Sequence, residues 1–223
     1  METGTFRDLK YLVRMPRELL EKNPAILFLH GAGYRGTNLD VLMNYPAFRQ
    51  GSCLAKDDSP FLIFAPQCHA DTWFDLFEQL RDFARAVCGD PRVDKERVYL
   101  MGASMGGYGT WQLGMSLPEL FAAMIPICGG GMKWNAKRLA SVPVWAVHGE
   151  LDPAVAAEES IRLVDAVNQA GGSAKLTLLK GVGHNAWDYT FANQEMFDWL
   201  LQQKRARRPD ETTNEFADAD RFG

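Results

Sequence analysis

Five residues, Gly102-Ala103-Ser104-Met105-Gly106, constrain this chain more than any others. An apolar run, Val98-Tyr99-Leu100-Met101, leads into them, and a helix-compatible stretch from Gly107 to Leu117 follows. A G-x-S-x-G pattern between a strand and a helix reads as a sharp turn with the serine at its apex. The serine backbone is strained there and its hydroxyl projects away from the sheet. A Cβ at either flanking glycine would collide with the neighbouring strand or helix.

Short apolar runs alternate with helical patterns along the rest of the chain. The expected strands are 9–14, 25–30, 61–65, 97–101, 122–128, 144–148 and 175–179. Several have the near-continuous Ile/Leu/Val/Phe character of strands buried on both faces of a parallel sheet. The expected helices are 76–87, 107–117, 158–170 and 193–203. The third shows Ile161, Val164, Asp165 and Asn168 at helical spacing and ends at Gly171-Gly172, a good C-cap. This alternation predicts a doubly wound α/β sandwich. The stretch 31–60 is long and irregular, as functional loops in compact domains tend to be.

The 223 residues fit one domain, expected over 1–203, with a polar, flexible tail over 204–223. The basic cluster within that tail reads as a solvated helix end. A net charge of −4 gives no basic excess to suggest nucleic acid. No apolar run approaches the roughly 20 residues that span a bilayer. The N-terminal segment mixes charged and apolar residues too often for a signal peptide, so a cytoplasmic location is expected. Cys53, Cys68, Cys88 and Cys128 are scattered without a C-x-x-C pair and read as packed thiols rather than disulfides or a zinc site.

A serine nucleophile needs a base, and the base an orienting acid. Ser104, Asp152 and His184 supply these in order, each after an expected strand, where catalytic groups of open α/β sheets collect. His184 lies in a glycine-flanked loop, Gly181-Val182-Gly183-His184-Asn185. His148 closes a strand and reads as structural, and His69 as a loop residue. Glu150 is the rival acid, but Asp152 lies farther beyond the strand end, where the loop can turn back. The oxyanion hole is expected from the Met105 amide and from His30-Gly31-Ala32-Gly33, with Ala32 the preferred donor and Gly33 its competitor. Tyr34, Gln67, Trp73, Trp134 and Trp187 lie in loops near the expected strand ends and are candidate substrate contacts.

With these residues in place, the chain resembles the α/β-hydrolase carboxylesterases. It is most similar to small esterases related to the phospholipase/carboxylesterase, feruloyl esterase and dienelactone hydrolase groups. The matching segments are LFLHGAGYRG at 27–36, APQC at 65–68, TWF at 72–74 and RVYLMGASMGGYGTW at 97–111, followed by FAAMIPICGGG at 121–131, VWAVHGELDPAV at 144–155 and GVGHNAW at 181–187. The resemblance implies a mostly parallel sheet of about eight strands flanked by helices, and ester hydrolysis by Ser104, Asp152 and His184. Dienelactone hydrolases use a cysteine where this chain has Ser104, which disfavours that activity. Relatives often carry a proline where Ala156 stands. The expected substrate is a small-molecule ester of a short-chain or aromatic acid, with no metal or organic cofactor. A feruloyl esterase, an acyl-thioesterase or a non-catalytic ligand-binding protein on the same fold are the alternatives. Oligomeric state is not written in the sequence.

Overall fold

The computed structural model describes residues 1–205. Eight strands form one sheet: β1 (Glu2–Phe6), β2 (Leu9–Arg14), β3 (Asn23–Leu29), β4 (Leu62–Pro66), β5 (Val93–Ala103), β6 (Ala123–Ile127), β7 (Val144–Gly149) and β8 (Ala174–Leu179). Their spatial order is β1-β2-β4-β3-β5-β6-β7-β8. The β1–β2 and β2–β4 pairs are antiparallel, and all others are parallel. The helices are α1 (Leu39–Met43), α2 (Phe77–Gly89), α3 (Met105–Ser116), α4 (Glu158–Gln169), α5 (Ala186–Ala192) and α6 (Gln194–Gln202). This is the α/β-hydrolase architecture implied by the sequence.

The strand period of two sorts the core into two layers. Leu27, Leu29 and Leu100 face the side covered by Leu80 and Phe83 of α2, Trp111 and Leu113 of α3, and Leu163 of α4. Ile26, Phe28, Tyr99 and Met101 face the other side, under Leu42 of α1, Phe191 of α5, and Phe197 and Leu200 of α6. β3, β4, β6 and β7 are buried along their whole length, which explains their unbroken apolar runs.

Four elements differ from the sequence expectation. β1 is an edge strand whose polar, largely exposed residues carry no burial signal. The expected helix over 193–203 is α6, with the Asn193 side chain capping it at the Glu195 amide, and α5 precedes it as a helix the sequence did not show. On α4 the buried stripe is Ser160, Leu163, Val164 and Val167, which shares only Val164 with the helically spaced set Ile161, Val164, Asp165 and Asn168. Gly171 does adopt φ +82° after the helix, as a C-cap glycine should. The irregular 31–60 stretch holds α1 and three single-turn 3-10 helices. At the start of the expected tail, the Arg205 amide donates to Glu96 O (2.8 Å) and its guanidinium to Glu119 O (2.9 Å). Residues 206–223 lie outside the described residues.

Candidate active site

The site is built on the carboxyl ends of the parallel strands. β5 runs into α3 through Ser104 alone, which is held at φ 57°, ψ −118°. For a non-glycine residue that is a strained conformation, persisting only where the surroundings enforce it. The enforcement is visible. The Ser104 amide donates to Ile127 O at the end of β6 (2.9 Å), and Ser104 O accepts from Tyr108 N inside α3 (3.0 Å). A Cβ on Gly106 would run into the Leu29 and His30 carbonyls, and one on Gly102 into the Gly106 carbonyl. Helix and strands therefore approach at backbone contact, as the two motif glycines require.

Ser104 Oγ lies 2.8 Å from His184 Nε2, and His184 Nδ1 lies 2.7 Å from Asp152 Oδ2. Serine, imidazole and carboxylate thus form one hydrogen-bonded line, from residues delivered by the β5, β8 and β7 ends. The His184 side chain is 25% exposed and that of Asp152 is 0% exposed. Asp152 Oδ1 accepts from the Ala154 and Val155 amides, both at 2.9 Å. Burial alone would raise the Asp152 carboxyl. The Val155 amide and the His184 bond outweigh it and hold the group below the usual carboxylate range. The rival acid Glu150 is occupied elsewhere, accepting the Gly181 amide at 3.0 Å.

Ala32 and Met105 each open a helix, Ala32 a 3-10 turn after β3 and Met105 the helix α3. The first amides of a helix have no carbonyl behind them to bond, so both are placed to receive an external acceptor. Gly31 brings its loop beside the elbow. A Cβ there would stand 3.3 Å from Ala103 O and 3.5 Å from Ser104 Cβ. His30 fixes this loop from beneath. Its Nε2 accepts the Cys68 amide (2.9 Å), so its hydrogen is on Nδ1, which donates to Gly31 O (2.7 Å). Burial pushes the His30 imidazole down to about 4.

The candidate substrate contacts separate into two groups. Trp187 stacks edge-on against His184, with centroids 5.2 Å apart. Tyr34 is half-buried in the Ala32 turn, 4.5 Å from the Tyr45 ring. The other three differ from expectation. Trp73 is buried in the core, where its indole donates to His30 O (3.1 Å). Gln67 is also buried; its amide nitrogen donates to the Tyr34 and Asn38 carbonyls and braces that loop from inside. Trp134 is exposed beside Ala166, Gln169 and Ala170, at the end of α4 that leads into the start of β8, the opposite strand end from the site. Position in a loop near a strand end says nothing about side-chain direction, which is why the sequence groups these three with the site. His69 turns to Asp8, at 3.6 Å.

Sequence reasoning read two neighbours of the acid, His148 and Cys128, as a structural and a packed residue without placing them beside it. His148 is fully buried with Nε2 3.4 Å from Asp152 Oδ2. The four-residue spacing across the β7 turn was the available signal. Cys128, at φ 46°, places its sulfur with ligand atoms of Asp152 and His184, all within 4.8 Å of one another. It is the one such group of potential metal ligands among the described residues. Burial first, and the Asp152 charge after it, push this thiol up to about 12. The thiol is therefore a protonated, packed side chain rather than a thiolate nucleophile.

The sheet and the serine turn at its edge define an α/β hydrolase. The chain belongs to the dienelactone hydrolase family, which it matches over residues 66–207. A thermostable esterase of known structure is 32% identical, with a TM-score of 0.80 over 92% of this chain and 63% of that one. A bifunctional acetylxylan esterase/xylanase, XynS20E of Neocallimastix patriciarum, is 27% identical over 157 residues, covering 68% of this chain and 22% of its own. The chain thus spans about a fifth of that relative's length. A phospholipase/carboxylesterase from Dyadobacter fermentans shares the fold at 19% identity and a TM-score of 0.65, over 86% of this chain and 96% of its own. No described helix is long and apolar enough to cross a membrane.

Proposed function

We propose that the protein is a serine carboxylesterase acting on short-chain acyl or aryl esters through an acyl-enzyme, with residues 1–203 working as one catalytic unit. The observation that carries this reading is the unbroken line from Ser104 Oγ through His184 to Asp152, at 2.8 and 2.7 Å. His184 takes the Ser104 proton as Oγ attacks the ester carbonyl. The Met105 and Ala32 amides receive the oxyanion. The tetrahedral intermediate collapses, the C–O bond to the alcohol breaks, and His184 returns its proton to the leaving oxygen. Water then repeats the sequence on the acyl-serine, giving acid and free enzyme. Asp152 orients the imidazole and stabilises its charged form. These steps need only the chain's own residues, an ester and water.

The names of the relatives, an esterase and an acetylxylan esterase, favour the short-acyl end of the range. Trp187 beside His184 offers an aromatic wall to an aryl acid, which keeps the feruloyl-type reading as the second one. Steady-state hydrolysis of p-nitrophenyl esters from acetate to laurate, with methyl ferulate alongside, tests both. Turnover that peaks at short chains and disappears in Ser104→Ala is expected. A folded protein that cleaves none of these esters would contradict the reading and point to a thioesterase or a ligand-binding role.

A further inference from the structure

We propose that His148, oriented by Ser160, is a positioning residue for the acid of this site; the inference rests on the Ser104–His184–Asp152 reading. Three side chains form a buried line behind the imidazole: Asp152, His148 and Ser160. His148 Nδ1 is 2.7 Å from Ser160 Oγ, and that hydroxyl is also 3.2 Å from Gly129 O. His148 Nε2 is 3.0 Å from Val155 O. A carbonyl only accepts, so Nε2 carries a hydrogen, and the same nitrogen lies 3.4 Å from Asp152 Oδ2.

The geometry closes on itself. The Val155 amide donates to Asp152 Oδ1 (2.9 Å) while the Val155 carbonyl accepts from His148. The ring therefore grips one end of a residue whose other end grips the carboxylate, and it also faces that carboxylate directly. Ser160 fixes the ring from α4, so it cannot turn its Nε2 away. Buried polar groups are costly unless fully paired, and an apolar residue would fill the same space without that cost. Here they stand where a carboxylate must be held at fixed distance and rotation against an imidazole. Partners that orient metal ligands in the same way typically matter by one to two orders of magnitude, and an effect of that size is expected here. The other titratable groups around Asp152 are His184 after β8, Cys128 after β6, and Tyr108 on α3 with Glu159 of α4 beside it.

Two amide substitutions separate positioning from packing. In His148→Gln the amide nitrogen reaches the place of Nε2; in His148→Asn it reaches only that of Nδ1. On p-nitrophenyl acetate, His148→Asn is expected to lose about 10- to 100-fold in kcat with KM within about twofold. Its acidic limb of kcat/KM moves to higher pH, because Asp152 without the N–H presents more of its charge to His184. His148→Gln keeps kcat within several-fold and leaves the limb in place. Ser160→Ala, a smaller change, lowers kcat several-fold without moving KM. Equal loss in the Gln and Asn variants with an unmoved limb, or parent-like kinetics in both, would overturn the inference. Should His148→Asn not fold, a Ser160→Ala enzyme with parent kcat overturns it alone. A Ser104→Ala control keeps the two readings apart. If that variant is also fully active, the triad itself is wrong; if it is inactive, only the role of His148 is at stake.

Discussion

Two strand ends of this molecule carry the same dipeptide and use it differently. His30-Gly31 follows directly on β3, His148-Gly149 closes β7, and both imidazoles are fully buried. His30 accepts a backbone amide on Nε2 and donates from Nδ1 into its own loop, so it braces the turn that offers Ala32. His148 instead carries its hydrogen on Nε2, aimed at the acid loop and at Asp152. The backbone groups that meet each ring decide which nitrogen is protonated, and with it what the residue supports. One corner serves the expected oxyanion side, the other the proton-transfer side.

The sharpest way to break this division is at the acid. Asp152→Asn keeps the shape but reverses the donor at His184, and kcat should fall by about 10⁴-fold while the thermal midpoint changes little. A loss below tenfold would remove Asp152 from the proton-transfer side. Gly31→Ala tests the other corner. Its methyl would sit 3.3 Å from Ala103 O and 3.5 Å from Ser104 Cβ, pushing the Ala32 amide off station. A fall in kcat of about 10- to 100-fold is expected, with labelling by a serine-reactive phosphonate slowed in step.

Acid sensitivity tests the His30 corner thermodynamically. An unfolded histidine takes its proton near 6.5, whereas buried His30 resists until about 4. Between those values the unfolded chain holds more protons, so stability falls as pH drops through the window, by roughly 3 kcal/mol at its lower end. Urea midpoints measured from pH 7 to pH 4 should show that slope, and His30→Asn should flatten it. The smallest effect is expected at Trp134, which lies far from both corners. Trp134→Ala should leave kcat unchanged and shift stability by less than about 0.5 kcal/mol; a clear loss of turnover would return this residue to the site.

The elbow and the order of the three reacting groups were legible because they are local patterns. Gly102 is demanded by contact with the Gly106 carbonyl and Gly106 by contact with the Leu29 and His30 carbonyls, but both belong to one short pattern around Ser104. The loops carrying Asp152 and His184 each follow an expected strand. β1 was not legible, since its pairing with β2 leaves its side chains largely in solvent. Trp73 and Gln67 read as cleft residues from their place after β4, yet both point inward to brace the His30 loop. The role of His148 was hidden for a related reason. A histidine in an apolar strand looks like filler until the turn after β7 brings Asp152 back over its ring.

The central claim is that Ser104 forms the acyl bond. Rapid mixing with p-nitrophenyl acetate, acid quenching and peptide mass analysis test it directly. The account predicts one acetyl group, on the peptide carrying Ser104, formed in a burst and missing from Ser104→Ala. Acetylation of Cys128 in its place, or turnover without any acyl-enzyme and undiminished in Ser104→Ala, would contradict it.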